Sequence, residues 1–345
     1  MLITWLNIDY TVGSSLTKSS QKTILHNISG CIELKTINGL IGASGSGKTN
    51  LLKCLNGFQQ KGLSSRSTIV YNKNIVDFKS CFISQFQSNC LHQLLTVNQS
   101  LIYSSKLKNS CHSQQIDHQN NVDLLIEQFL LNDIKNSIVG TCSGGELKRL
   151  SIAIELTAHS KPYLLCIDEP TTGLDSNAAQ LVMNCLYNLT LNHNMSILTS
   201  IHQPNTDIFD MFDSIHVLSK GFVIFTGKPQ ELKDFMSESN ITCDTNESPI
   251  EVLLKVSAND NNNDSRIKHM IDKTSELNTH RFMAETNNIY YLIARRIRIQ
   301  YIIQWKTLLA ETVFHIMFAT IVMFAINDDN WLKSLTTIIA TYIIH

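Results

Sequence analysis

The chain has 345 residues, a formal net charge of −1 and 17% charged residues. That length holds one large or two ordinary domains, and the even charge balance excludes the basic surface a nucleic-acid partner needs. Nine scattered cysteines with no CxxC pair point to reduced intracellular thiols, not to a disulfide framework or a zinc site.

The N-terminus, Met1-Leu-Ile-Thr-Trp-Leu, has no basic n-region and no long apolar core, so it is not read as a signal peptide. Residues 23–41 read as strands broken by Gly30 and Gly39. A glycine-rich loop follows, Gly42-Ala-Ser-Gly-Ser-Gly-Lys-Thr49, and then helical spacing over 50–56, ended by Gly57. Residues 59–80 read as short strands and turns, and 81–84 as a buried strand stopping at Gln85.

Residues 96–135 are helical by period, with an amphipathic stripe of Leu124, Leu125, Gln128, Phe129 and Leu131. The polar run 109–121 reads as a loop. Helix resumes over 145–159 and stops before Pro162. Strand 163–167, helix 177–191, strand 196–201, helix 206–212 and strands 215–218 and 222–226 follow. This alternation predicts a mainly parallel sheet.

Residues 257–280 are rich in Asn, Asp and Ser and read as a linker. Beyond them the composition changes. Residues 290–305 form a basic amphipathic pattern carrying Arg295, Arg296 and Arg298. Residues 308–326 are mostly apolar, about long enough to cross a bilayer core of roughly 30 Å. A buried core helix is the plainer alternative. The arginines just before the span, and a second apolar run over 331–344, favour the membrane. The sequence reads as cut off inside that second run.

The chemistry concentrates at four places. The 42–49 loop lies between a strand and a helix, where inward-turned N–H groups and the helix N-terminus can cradle phosphates. Lys48 would bridge the β- and γ-phosphates, and Thr49 would offer its hydroxyl to magnesium. Asp168 ends a buried strand, a fit place for a magnesium-holding carboxylate. Glu169, one residue on, points elsewhere and can act as general base on water. His202 and Gln85 also end strands. His202 can contact the γ-phosphate and orient the water; Gln85 could reach the metal or the water. Ser143, Gly144 and Gly145 open a helix and form a second anion site. One chain cannot set both anion sites on one phosphate without folding back. A head-to-tail dimer, with ATP between two copies, is the simplest solution.

This set resembles the ABC transporter ATPases: the phosphate loop 42–49, Gln85 as Q-loop, Ser143-Gly-Gly-Glu146 as signature, 164–169 as Walker B, Gly173-Leu-Asp-Ser176 as D-loop and His202 as switch histidine. Leu95-Thr-Val97, Gly144-Gly-Glu-Leu-Lys-Arg149, Glu169-Pro-Thr-Thr-Gly-Leu-Asp-Ser176, Ile201-His-Gln-Pro204 and Ile208-Phe-Asp-Met-Phe-Asp213 resemble more narrowly the G subfamily, the White-type half-transporters. Cys142 and Leu147 depart from that family's usual signature.

The resemblance implies an α/β fold: an ABC-type P-loop ATPase with a mainly parallel core, an antiparallel β portion and a helical signature lobe, followed by a transmembrane helix. It implies an ATPase domain over 1–256 with its lobe at about 96–160. A linker over 257–288, a connecting helix over 289–306 and the start of a membrane domain over 307–345 would follow. ATP and Mg2+ are implied as ligands. Gly42, Ser44, Gly45, Ser46, Gly47, Lys48, Thr49 and Asn50 would bind the nucleotide. Ser143, Gly144, Gly145, Glu146 and Asp175 would meet the partner's ATP, and Thr49, Gln85 and Asp168 would hold magnesium. Tyr10 is the candidate for stacking on adenine, with a core tyrosine as the alternative. The implied partners are a second half-transporter, the lipid bilayer and a hydrophobic cargo, with no nucleic acid. Two alternatives stay open: an ATP-binding chain that pairs without transporting, and a non-transport ABC ATPase.

Overall fold

A strand covered on both faces is apolar throughout, whereas a strand covered on one face alternates. Both kinds occur here. The structure is a computed structural model and describes residues 1–13, 21–72, 75, 78–110, 116–243, 247–259 and 265–285. It opens with strands β1 (Ile3–Val12), β2 (Lys22–Ile32) and β3 (Ile37–Gly42), helix α1 (Lys48–Leu55), and strands β4 (Thr68–Tyr71) and β5 (Ser80–Ile83). Helices α2 (Val97–Lys108), α3 (His118–Gln128) and α4 (Gly144–Glu155) form the inserted lobe. Then come β6 (Leu164–Asp168), α5 (Ser176–Asn192), β7 (Ser196–Ile201), α6 (Thr206–Asp210), β8 (Ser214–Ser219) and β9 (Phe222–Gly227). Helices α7 (Leu232–Glu238), α8 (Pro249–Asn259) and α9 (Ser265–Glu285) complete the described chain.

The main sheet runs β5-β6-β7-β3-β8-β9. Its pairs are parallel except β8–β9. A second, antiparallel sheet runs β2-β1-β4. Side chains of β6 show how the layers close. Leu164 and Cys166 join Leu51, Leu52 and Leu55 of α1 and Trp5 and Ile8 of β1 in one core. Leu165 and Ile167 project the other way, into a core with Leu150 and Ala153 of α4 and Val182 and Leu186 of α5. The parallel order therefore carries β3, β6 and β7 to the same edge of the sheet at their C-terminal ends, where ligand crevices of such sheets form.

The sequence-based reading needs four corrections. Residues 3–12, read only as lacking a leader, form β1. The expected loop over 109–121 ends early, because Asp117 caps α3 by accepting N–H bonds from Gln119 and Asn120 at 3.1 Å each. Leu124 does not belong to the buried stripe of α3. It is 51% exposed, while Leu125, Ile126 and Phe129 are buried. The segment read as a linker over 257–288 contains helix α9. Ile267 and Met270 are buried in the main core. Thr274 Oγ1 donates to the Ile224 carbonyl at 3.0 Å, and Asn278 Nδ2 donates to the Ser29 carbonyl at 3.0 Å. One compact unit thus runs over Met1–Thr279, past the expected domain boundary at 256. The connecting helix at 289–306 and the spans from 307 onward lie outside the described residues. Among the described residues no helix is long and apolar enough to cross a membrane.

Candidate active site

The phosphate loop connects β3 to α1. Gly47 sits at φ 105°, at the N-cap of α1. A Cβ there would stand 2.5 Å from Leu25 Cδ2, so both the backbone and the packing require glycine. Ser44 and Gly45 are exposed, Thr49 and Asn50 half-buried, and Gly42, Ser46 and Lys48 buried. The Ser46 hydroxyl is buried without a hydrogen-bond partner. An orphaned polar atom inside a loop of inward-turned amides fits a phosphate ligand. Lys48 Nζ donates to the Gly42 carbonyl at 2.8 Å and the Ala43 carbonyl at 3.1 Å. Burial pushes its ammonium below the ordinary lysine value, and the Glu169 and Asp168 carboxylates pull it back up.

Asp168 ends β6 and is buried. Thr49 Oγ1 donates to its two oxygens at 3.1 and 2.9 Å, and Ser200 Oγ donates to Oδ1 at 2.6 Å. Thr49 and Asp168 therefore meet, as their types at those positions predict. Among the described residues no group of three His, Cys, Asp or Glu side chains could hold a metal ion. One carboxylate and one hydroxyl, with phosphate oxygens completing the shell, is the all-oxygen set magnesium takes.

Glu169 is turned away from Asp168 by its backbone, which lies in the left-handed region at φ 48°. That conformation costs a side-chain-bearing residue about 1–2 kcal/mol. It is held by Glu169 N–H donating to Ser200 Oγ at 2.9 Å. The carboxylate Oε2 accepts from Gln85 Nε2 at 3.0 Å and from Thr172 Oγ1 at 2.9 Å. Gln85 thus faces Glu169 as a donor. His202 follows β7, and its Nε2 accepts from the Ser44 N–H at 2.9 Å, which places the ring proton on Nδ1.

The signature opens α4, and its residues Ser143–Glu146 make no hydrogen bond to the phosphate loop, Asp168, Glu169 or His202. Ser143 caps the helix, accepting from the Glu146 N–H at 3.4 Å, while the Ser143 N–H donates to Glu146 Oε2 at 2.7 Å. Glu146 was expected to contact nucleotide. Within the single chain its carboxylate closes the first turn. Ser143 and Gly144 are exposed, while Gly145 is buried. Asp175 likewise caps its own helix, α5, accepting from the Ala178 N–H at 2.9 Å.

Tyr10 is a correction. Its ring is 1% exposed within the core beneath α1, and Gln59 Nε2 donates to its hydroxyl. A ring enclosed on both faces has none to offer adenine. Replacement of Tyr10 by Leu, which removes the ring, is expected to leave ATP affinity unchanged and to cost about 1–3 kcal/mol of stability, read from nucleotide titration and thermal melting. A large loss of affinity would restore the stacking role.

Three residues that meet this site were not singled out from sequence. Ser200 joins Asp168 to the Glu169 backbone, Thr172 touches the Glu169 carboxylate, and Lys148 donates to the Gln85 carbonyl. A hydroxyl inside the apolar run of β7 was the available signal, since buried polar groups need partners.

Residues 25–172 match the family model described as ABC transporter. The chain is 36% identical over 250 residues to "Protein white" of Ceratitis capitata, covering 69% of this chain and 36% of that relative. It is 32% identical over 250 residues to the "Broad substrate specificity ATP-binding cassette transporter ABCG2" of Mus musculus, covering 71% of this chain and 37% of the relative. The chain carries an ABC transporter ATPase domain of the G subfamily. The domain spans little more than a third of those relatives' own lengths. A solved structure, cbiO1 from Clostridium perfringens, part of the ABC transporter complex cbiONQ, has the same fold. It aligns at a TM-score of 0.55 and 20% identity over 69% of this chain and 93% of that one.

Proposed function

We propose that the chain is the ATP-binding and ATP-hydrolysing part of a half-transporter that pairs with a second half-transporter and moves a hydrophobic, lipid-like cargo across a bilayer. The exposed signature residues Ser143 and Gly144, with no hydrogen bond to the phosphate loop, carry this reading. Each half of the nucleotide site is incomplete within one chain. Two chains arranged head to tail complete two sites, the isologous arrangement of a two-fold dimer. The similarity to White-type relatives supports the transport assignment, as do the basic and apolar stretches over 290–326.

In this reading the 42–49 loop and Lys48 bind the phosphates, and Thr49 and Asp168, with Gln85 adjacent, hold magnesium. Bound there, magnesium neutralises charge developing on the phosphate oxygens. Glu169 takes the proton of the attacking water, and His202 contacts the γ-phosphate and orients that water. Ser143 with the Gly144 and Gly145 N–H groups closes over the partner's nucleotide. Release after hydrolysis opens the pair and resets the membrane segments.

Fractionation of cells expressing the chain tests the membrane half of the proposal. Recovery in membranes, resistant to salt and alkaline carbonate and released by detergent, is the expected result. Recovery in the soluble fraction overturns it.

A further inference from the structure

Lys148 is an unusual residue to find where it is. It lies on α4, five positions after the signature serine, and is 5% exposed. Among the described residues no carboxylate forms an ion pair with it. Its Nζ instead donates to the backbone carbonyl of Gln85. Burial pushes its ammonium below the ordinary lysine value, and the Asp168 and Glu169 carboxylates counter that. Burying a cation against a single carbonyl is costly to the folded state. A neutral side chain of similar length would fill the space at lower cost.

What the placement achieves is a chain of contacts. The Gln85 carbonyl is held by Lys148, and the side-chain amide of the same residue donates to Glu169 Oε2 at 3.0 Å. Two residues on, Gln87 Nε2 donates to Glu155 Oε1 at 2.6 Å. Glu155 is the last residue of α4 and is paired with Lys108 of α2 at 2.7 Å. The segment carrying Gln85 is therefore fastened to α4 at two points. The N-terminus of the same helix is the signature that closes on the partner's nucleotide.

We propose that Lys148 is a positioning residue that couples the two nucleotide sites, passing the seating of α4 on the partner's ATP, through the Gln85 backbone, to the aim of Glu169 on the chain's own ATP. This rests on the reading of Glu169 as general base. Lys148 touches neither nucleotide nor water in this scheme. Its removal changes the rate of the chemical step and not the affinity for substrate, because misplacing a reacting group lowers kcat while binding contacts persist.

The test compares K148M, K148R and E169Q in the full chain, purified in detergent, by MgATP hydrolysis and thermal melting. The expected result for K148M is a kcat roughly 10- to 100-fold below the parent, with KM for MgATP within about twofold and no loss of melting temperature. K148R, which keeps a cationic donor of similar reach, is expected to recover most of the rate. Parent-like kcat in K148M, with E169Q inactive, overturns the coupling alone. Equal losses in kcat and melting temperature that K148R does not repair reduce Lys148 to a packing residue and overturn it too. Parent-rate turnover by E169Q overturns the general-base reading, and the coupling with it, since the chain of contacts ends on that carboxylate.

Discussion

Glu169→Gln binds MgATP with parent affinity and hydrolyses it about 10²- to 10⁴-fold more slowly, the range a general base contributes. The geometry makes the substitution clean. Glutamine is isosteric and keeps one oxygen to accept from Gln85 Nε2 and Thr172 Oγ1, which now share Oε2 of Glu169. The backbone bond from Glu169 N–H to Ser200 Oγ is untouched. The phosphate loop, Thr49 and Asp168 are not altered, so the binding half of the site survives. Only the capacity to take a proton from water is lost. Single-turnover hydrolysis, with equilibrium nucleotide binding on the same sample, separates the two terms. Parent-rate hydrolysis by the glutamine variant would remove Glu169 from the mechanism.

The second large effect comes from mixing two inactive chains. Lys48→Ala disables the phosphate-binding half of a site. Gly145→Val disables the lid half, because even a Cβ at 145 stands 2.9 Å from Ala178 Cβ and a branched side chain drives α4 away from α5. Each variant alone is expected to lose nearly all hydrolysis. In a head-to-tail pair of one Lys48→Ala chain and one Gly145→Val chain, one composite site carries both defects and the other carries neither. For a chain that pairs with itself, unfolding and refolding the two together at equal amounts should restore at most about a quarter of the parent rate, since half the random dimers have one of two sites intact and the Glu169 of that site belongs to the chain whose own α4 is displaced. A mixture as inactive as its components contradicts the shared site if Lys148→Met keeps the parent rate, because the two sites are then independent. Substantial activity of Gly145→Val alone, at dilutions where only monomer exists, contradicts it more directly.

Which parts of this molecule can be read from sequence follows from how each residue is covered. The strands β3, β6 and β7 are buried throughout, so their apolar runs stand out, and the groups at their ends (the phosphate loop, Asp168, His202) are found with them. β1 is harder to see because its buried apolar residues fall at 3, 5, 8 and 10. The step of three marks an irregularity between Trp5 and Ile8, where Asn7 adopts φ 49°, and it breaks the alternation that identifies a strand. Helix α9 is hidden for another reason. It meets the body through Ile267, Met270, Thr274 and Asn278, spaced as one helical face, but two of these four are polar and are satisfied by carbonyls of distant strands. Composition alone classes them as solvated. Tyr10 is ambiguous by nature, since an aromatic near a phosphate loop serves a base or a core equally well. Lys148 escapes because its acceptor is a main-chain carbonyl, which no side-chain pattern announces.

The backward twist of the main chain at Glu169 has an implication for how this domain has been shaped. Two neighbouring acidic groups on a regular strand would alternate, one of them facing into a packed layer. Bending the peptide into a disfavoured region lets both reach the same crevice from different angles, at some expense in durability. Selection for toughness and selection for turnover therefore pull this one position in opposite directions.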